Sequence, residues 1–140
     1  DLRWFGRGPH ENYPDRNASA MLGEWAGVPD VPPYLVPQEF GLRTDTRWLE
    51  CTDPLTGETV RIDVLQPHAL HISATNYRAE DLFIAPNEAD LWPRDELVVH
   101  LDVAHRGLGT ASCGPDVLAE YRLAAGEYTF SYRLTLVTGS

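Results

Sequence analysis

The sequence predicts an all-β domain, most simply an antiparallel β-sandwich of about six to eight strands. Three observations carry that expectation. Tyr128, Phe130, Tyr132, Leu134 and Leu136 form one strict alternation, the cleanest period-two pattern in the chain. Thr59-Val60-Arg61-Ile62-Asp63-Val64-Leu65 follows the turn Asp53-Pro54-Leu55-Thr56-Gly57 and reads as the second arm of a hairpin. Helical patterning is confined to one short stretch.

Taken in order, the segment from Trp4 through Gly6, Gly8, Pro9 and Pro14 to Arg16 shows no helix or strand period. Its glycines and prolines set the backbone path, so it reads as a shaped loop. Its rings and opposed charges suit a sugar or a partner surface. Pro29, Pro32, Pro33 and Pro37, with Pro14 upstream, mark residues 23–37 as an extended connector. Residues 38–49 read as one strand with a wet face, with Phe40, Leu42 and Trp48 set among Arg43, Asp45 and Arg47. A further strand fits residues 69–74.

The one helical candidate runs from Arg78 to Ala85, limited by Pro86 and capped by Asn76. Residues 96–103 read as a half-buried strand. After the turn-rich stretch 106–115, strands are expected at 117–123 and 128–137, with Ala125-Gly126 turning between them. No repeat or internal boundary interrupts residues 1–140, so they read as a single β-sandwich domain.

Charged residues make up 23% of the chain and the hydrophobic set 43%, which is ordinary for a globular protein. Every cationic side chain other than histidine is arginine. The formal net charge of −10 opposes nucleic-acid binding, because no basic surface replaces the counterions around phosphates. It also opposes docking on an anionic membrane. No apolar run reaches the ~20 residues of a membrane span. The start at Asp1-Leu2-Arg3-Trp4 lacks both Met and a signal-peptide core, and reads as a fragment or processed product. Cys51 and Cys113 have no zinc spacing, and reduced thiols of a cytoplasmic protein are the simpler reading.

Several groups offer chemistry. Glu11 and Asp15 share the opening segment and Glu39 follows Pro37-Gln38, so a glycosidase-like acid pair can be drawn. The plainer reading pairs Glu39 with Arg43 and Asp15 with Arg16. His68 and His71 sit three apart on a strand, which sends the two rings to opposite faces and argues against a metal. His100 and Asp102 share a face and suit a hydrogen-bonded pair. Gly107-Leu108-Gly109-Thr110 lacks the βαβ setting of a dinucleotide loop. Ser112 and Cys113 have no assignable base. Trp4, Trp25, Trp48 and Trp92 read as loop-side residues, better suited to packing than to stacking on a sugar.

Together these blocks carry a resemblance that no single motif does. Gly6-Arg7-Gly8-Pro9-His10-Glu11-Asn12-Tyr13-Pro14-Asp15-Arg16, then Tyr34-Leu35-Val36-Pro37-Gln38-Glu39-Phe40-Gly41-Leu42-Arg43-Thr44-Asp45, then Gly107-Leu108-Gly109 and Ser112-Cys113-Gly114-Pro115 stand in one order. They closely resemble the C-terminal, small-chain domain of LacZ-type β-galactosidases of glycoside hydrolase family 2. The resemblance covers almost the whole chain. It implies a supersandwich of the galactose-mutarotase-like type, of which these residues are the C-terminal half.

The resemblance also implies that the catalytic acids lie on a separate barrel domain, so no catalytic residue is expected here. One loop reaches the sugar site, and its substrate-binding positions are Ser112, Cys113 and Gly114, with Cys113 in place of a stacking Trp. A sodium site of backbone carbonyls is implied at Val36, Pro37, Leu82 and Ala85. The fragment has no cofactor of its own, while magnesium and sodium serve the intact enzyme. The implied partners are the remainder of a parent β-galactosidase and a galactoside substrate. Unpaired strand edges would also invite association, a homo-oligomer included. Two other readings stay open: a stand-alone carbohydrate-binding or aldose-epimerase-like module using His and Glu, and an oligomerisation or scaffold domain.

Overall fold

The protein is described by a computed structural model covering residues 1–109 and 114–137. Eight strands run in chain order as β1 Leu2–Gly8, β2 Met21–Gly27, β3 Arg43–Thr46, β4 Trp48–Thr52, β5 Thr59–Gln66, β6 Leu70–Thr75, β7 Val98–Asp102 and β8 Ser131–Val137. Among the described residues one α-turn, α1, spans Ala79–Ile84. The strands make a five-stranded sheet, ordered β2-β1-β4-β5-β8, and a three-stranded sheet, ordered β3-β6-β7. All strand pairs are antiparallel. No helix among the described residues is long and apolar enough to cross a membrane.

Alternation places the core between the sheets. Leu2 and Trp4 of β1, Leu49 of β4 and Ile62 of β5 meet Leu70, Ile72 and Ala74 of β6 in one buried cluster. Burying an aliphatic side chain of this size contributes ~1.5–3 kcal/mol, so these residues hold the two layers together.

The start of the chain is a strand, where a loop was expected. In β1, Leu2, Trp4, Gly6 and Gly8 point inward, so the period of two is real but half of it is glycine. Those glycines serve close approach. A Cβ on Gly6 would lie 2.7 Å from Thr46 Oγ1, and one on Gly8 2.7 Å from Trp25 Cδ1. β2 also departs from the expected connector. It pairs with β1 over its full length, yet only Gly23 and Trp25 are half-buried and its other side chains are exposed, which leaves a faint pattern. Trp4, Trp25 and Trp48 therefore lie within strands, while Trp92 is exposed in a loop.

The expected strand 38–49 divides. β3 joins the small sheet and β4 the large one, with a register shift in β3 and Asp45 in the left-handed region at φ 56°. Arg7 Nε holds that residue by donating to Asp45 Oδ2 at 2.6 Å. The 53–57 turn is as expected: Leu55 N–H donates to Asp53 Oδ1 at 2.8 Å, and Gly57 supplies a φ of +74°.

Asn76 does not cap α1. Its amide instead donates to the Arg94 and Glu96 carbonyls, each at 3.2 Å, and Asp81 accepts from Arg78 N–H at 2.8 Å. His68 precedes β6 in a turn, so the two histidines do not share a strand. The stretch 117–123 is no strand. It folds as a short 3₁₀ turn at Ala119–Tyr121, because Gly107 N–H donates to the Tyr121 carbonyl at 2.9 Å and draws the segment onto a loop.

Candidate functional site

Residues 9–16, 34–41 and 105–109 meet at one corner of the sandwich. Its floor is Asn12, fully buried and fully satisfied. Asn12 Oδ1 accepts from Thr44 N–H at 3.0 Å and the Thr44 hydroxyl at 2.5 Å, while Nδ2 donates to the Arg7 and His10 carbonyls. Tyr13 beside it has no exposure. Burial, joined by the charges of Glu11 and Glu39, pushes the Tyr13 phenol far above its ordinary value.

Glu11 and Asp15 act as acceptors. Glu11 Oε1 accepts from the Tyr34 hydroxyl at 2.5 Å, and Oε2 from Gly41 N–H at 2.8 Å and the Tyr13 hydroxyl at 3.4 Å. Arg16 reaches Glu11 at 3.8 Å, where a pair with Asp15 was expected. Asp15 instead crosses the molecule. Its Oδ1 accepts from Leu108 N–H at 3.1 Å and its Oδ2 from Gly109 N–H at 2.6 Å. Charge-assisted bonds of this kind are worth ~1.5–3 kcal/mol each.

Both glycines of that turn are required. A Cβ on Gly107 would lie 2.6 Å from Asp15 Cγ, and one on Gly109 2.2 Å from Val117 Cγ1. Gly109 also takes a φ of +55°. Arg106 pairs with Asp116, and Arg122 with Asp116 at 3.4 Å, drawing together the two ends of the 106–116 stretch.

Glu39 does not pair with Arg43. Arg43 goes to Asp30 at 2.9 Å, and Glu39 Oε1 lies 4.0 Å from His105 Nε2. Burial pushes the Glu39 carboxyl above its usual range, with the His105 and His100 charges opposing. The His105 ring packs on Tyr13 at 5.6 Å between centroids, and its Nδ1 lies 2.6 Å from the Arg106 carbonyl. The register sets Asp102 opposite His71 and His100 opposite Ser73. Burial pushes the His71 imidazole down and favours its neutral form.

A cleft of about 510 Å³ opens here, lined by Asp15, Arg16, Tyr34, Gln38, Glu39, Leu108 and Gly109. That volume is in the range of small-ligand sites. Of the expected loop positions, Gly114 is exposed, while Ser112 and Cys113 lie outside the described residues. The cleft wall ends at Gly109, at the entrance to that stretch. The link between Asp15 and the 107–109 turn spans more than ninety residues and left no local trace in the sequence.

Among the described residues, no three His, Cys, Asp or Glu side chains gather to hold a metal ion. The four carbonyl positions assigned to sodium fall on two segments that the fold joins. Glu88 N–H donates to the Leu35 carbonyl at 2.9 Å, next to Val36 and the buried Pro37. Leu82 lies in the last turn of α1 and Ala85 is its C-cap. Carbonyls there have no intrahelical donor, and the negative helix end favours a cation. That donor chemistry fits sodium.

Comparison with known proteins gives the family of the chain. The chain is 38% identical over 138 residues to a β-galactosidase of Vibrio cholerae serotype O1, covering 96% of this chain and 12% of that protein. It is 34% identical over 137 residues to a β-galactosidase of Arthrobacter sp. strain B7, covering 94% of this chain and 13% of that protein. A Kluyveromyces lactis β-galactosidase is 33% identical over 135 residues, with 95% and 13% covered. The chain thus spans only about an eighth of the length of these relatives. The family model of the β-galactosidase small chain matches residues 1–134, and the chain belongs to that family.

Proposed function

We propose that this chain is the C-terminal β-sandwich of a retaining β-galactosidase that hydrolyses terminal β-D-galactosides. It contributes the 106–115 loop, with Ser112, Cys113 and Gly114, to the sugar site, and it supports the assembly. The observation that carries this reading is the Asp15 clamp. A carboxylate that holds two consecutive backbone amides fixes the entry to that loop at the rim of an open cleft.

The catalytic acids belong elsewhere in the parent protein. A retaining glycosidase sets two carboxyls about 5 Å apart across the scissile bond, one of them as an open nucleophile. Glu11 and Asp15 instead have both oxygens engaged by donors of their own corner. The Leu82 and Ala85 carbonyls, with those of Val36 and Pro37, would hold a sodium ion that offsets the negative end of α1. Magnesium belongs to other parts of the enzyme. A cytoplasmic setting fits the free Cys51 thiol, which burial pushes up to about 11.

Asp15→Asn in the full-length parent tests the reading. Loss of one charge-assisted bond is worth about tenfold in kcat/KM, with the fold retained and Asp15→Glu restoring part of the loss. Kinetics equal to wild type would contradict it. The retaining course is checked by NMR of the first-formed anomer, which should be β-galactose.

A further inference from the structure

The Asp15 clamp grips the 106–115 loop by its amides, and a second acid reaches the same loop through His105. His105 stands immediately before the loop, and its ring is fixed on three sides. One face packs on the fully buried Tyr13, at 5.6 Å between centroids. Nδ1 lies 2.6 Å from the Arg106 carbonyl. A carbonyl oxygen only accepts, so Nδ1 carries the proton and donates it there. Nε2, the remaining nitrogen, faces Glu39 Oε1 at 4.0 Å.

That arrangement selects a charge state. With Nδ1 committed as a donor, a neutral imidazole turns its Nε2 lone pair toward the Glu39 carboxylate, and the two repel. A proton on Nε2 makes the same contact attractive. The His105 side chain is 18% exposed and that of Glu39 40%, so water screens the attraction only in part. The titratable groups around the pair are Glu11 and Tyr13 from the opening segment, His100 and Asp102 from β7, and His71 from β6.

Glu39 is itself held in place. Two residues on, Gly41 N–H donates to Glu11 Oε2 at 2.8 Å. Phe40 between them is buried, and its ring meets Tyr77 edge-on at 6.1 Å. Glu39 also lines the 510 Å³ cleft together with Leu108 and Gly109. The cleft wall and the loop entry are therefore joined through one imidazole.

We infer that Glu39 and His105 are positioning residues for the 106–115 loop: the Glu39 carboxylate holds the His105 imidazolium, and His105 Nδ1 holds the Arg106 carbonyl where the loop begins. The inference rests on the proposal that this loop touches the sugar. The entry is then gripped at the carbonyl of 106 by His105 and at the amides of 108 and 109 by Asp15. Both residues of the pair act through the loop and not on the bond being broken.

Hydrogen exchange in the full-length parent tests it, read by mass spectrometry on the peptide covering residues 105–109. The amides of Gly107, Leu108 and Gly109 are hydrogen-bonded and report opening of the entry. Glu39→Gln keeps the shape and removes the charge, and should speed exchange of that peptide about threefold. Glu39→Asp keeps the charge and should restore part of the protection. His105→Gln also loses the Nδ1 donor and should speed exchange about tenfold. A peptide over β4 and β5 should exchange as in the unsubstituted parent, which separates local opening from general loosening. Unchanged exchange at 105–109 in Glu39→Gln or His105→Gln, no recovery in Glu39→Asp, or equal acceleration over β4 and β5 would each overturn the inference. KM for a β-galactoside should rise by the same factors while kcat holds. Faster exchange with an unchanged KM would support the pair and count instead against contact between loop and sugar.

Discussion

The corner around Asp15 and the flank around β8 carry the same chain to opposite ends of self-sufficiency. At the corner, buried polar groups find their partners within the molecule: Asn12 with Thr44, Glu11 with Tyr34 and Gly41, Asp15 with Leu108 and Gly109. On the flank, Leu134 and Leu136 face the core side of a sheet and remain more than half exposed. Polar networks are costly when half satisfied, so a corner of this kind is completed locally. An apolar sheet face is non-directional and accepts any complementary strand. The corner is satisfied within the described residues, while no described strand covers the apolar side of β8.

The strongest way to break the corner is Tyr13→Ala. Removing a fully buried aromatic side chain should cost about 4 kcal/mol, measured by urea unfolding of the parent. Thr135→Lys, on the polar side of β8, should stay within about 0.5 kcal/mol in the same assay. Equal effects would erase the contrast between the regions. Gly109→Ala comes next, at about 2 kcal/mol, since it puts a side chain at a φ of +55° and against Val117. A neutral result would mean that the 107–109 turn is not held as described.

The smallest effect is one of pH and lies outside both regions, at α1. The Arg94 guanidinium, donating at 2.6 and 2.8 Å, holds the Asp81 carboxyl down at about 2 from an ordinary 3.8. The folded value is the lower one, so the pair's stabilisation is present above the ordinary value and fades as pH falls from about 4 to about 2. An NMR titration should place the Asp81 midpoint near 2. Asp81→Asn should remove the acid sensitivity of α1 within that window, and an unchanged acid response would count against the pair.

How much of this was legible depended on side-chain contrast. β5, β6, β7 and β8 announce themselves because branched or aromatic residues alternate with polar ones. β1 hides because two of its four inward positions are glycines, chosen for contact with Thr46 and Trp25. β2 hides because it has little buried face to pattern. The split at Arg47 turns on one left-handed Asp, which local sequence tolerates without announcing. At the site, the sequence reads 106–115 as a turn-rich stretch and pairs Asp15 with its neighbour Arg16. Their joint role arises from tertiary contact alone.

We have proposed that the loop following Gly109 touches the galactoside while the acids lie elsewhere. Cys113→Trp in the full-length parent tests it most directly, through KM for a β-galactoside and the inhibition constant of galactose. A ring that stacks on the sugar is worth about 1 kcal/mol, so the account predicts a shift of about fivefold in both constants. Constants indistinguishable from those of the unsubstituted enzyme would contradict it and leave the domain a scaffold.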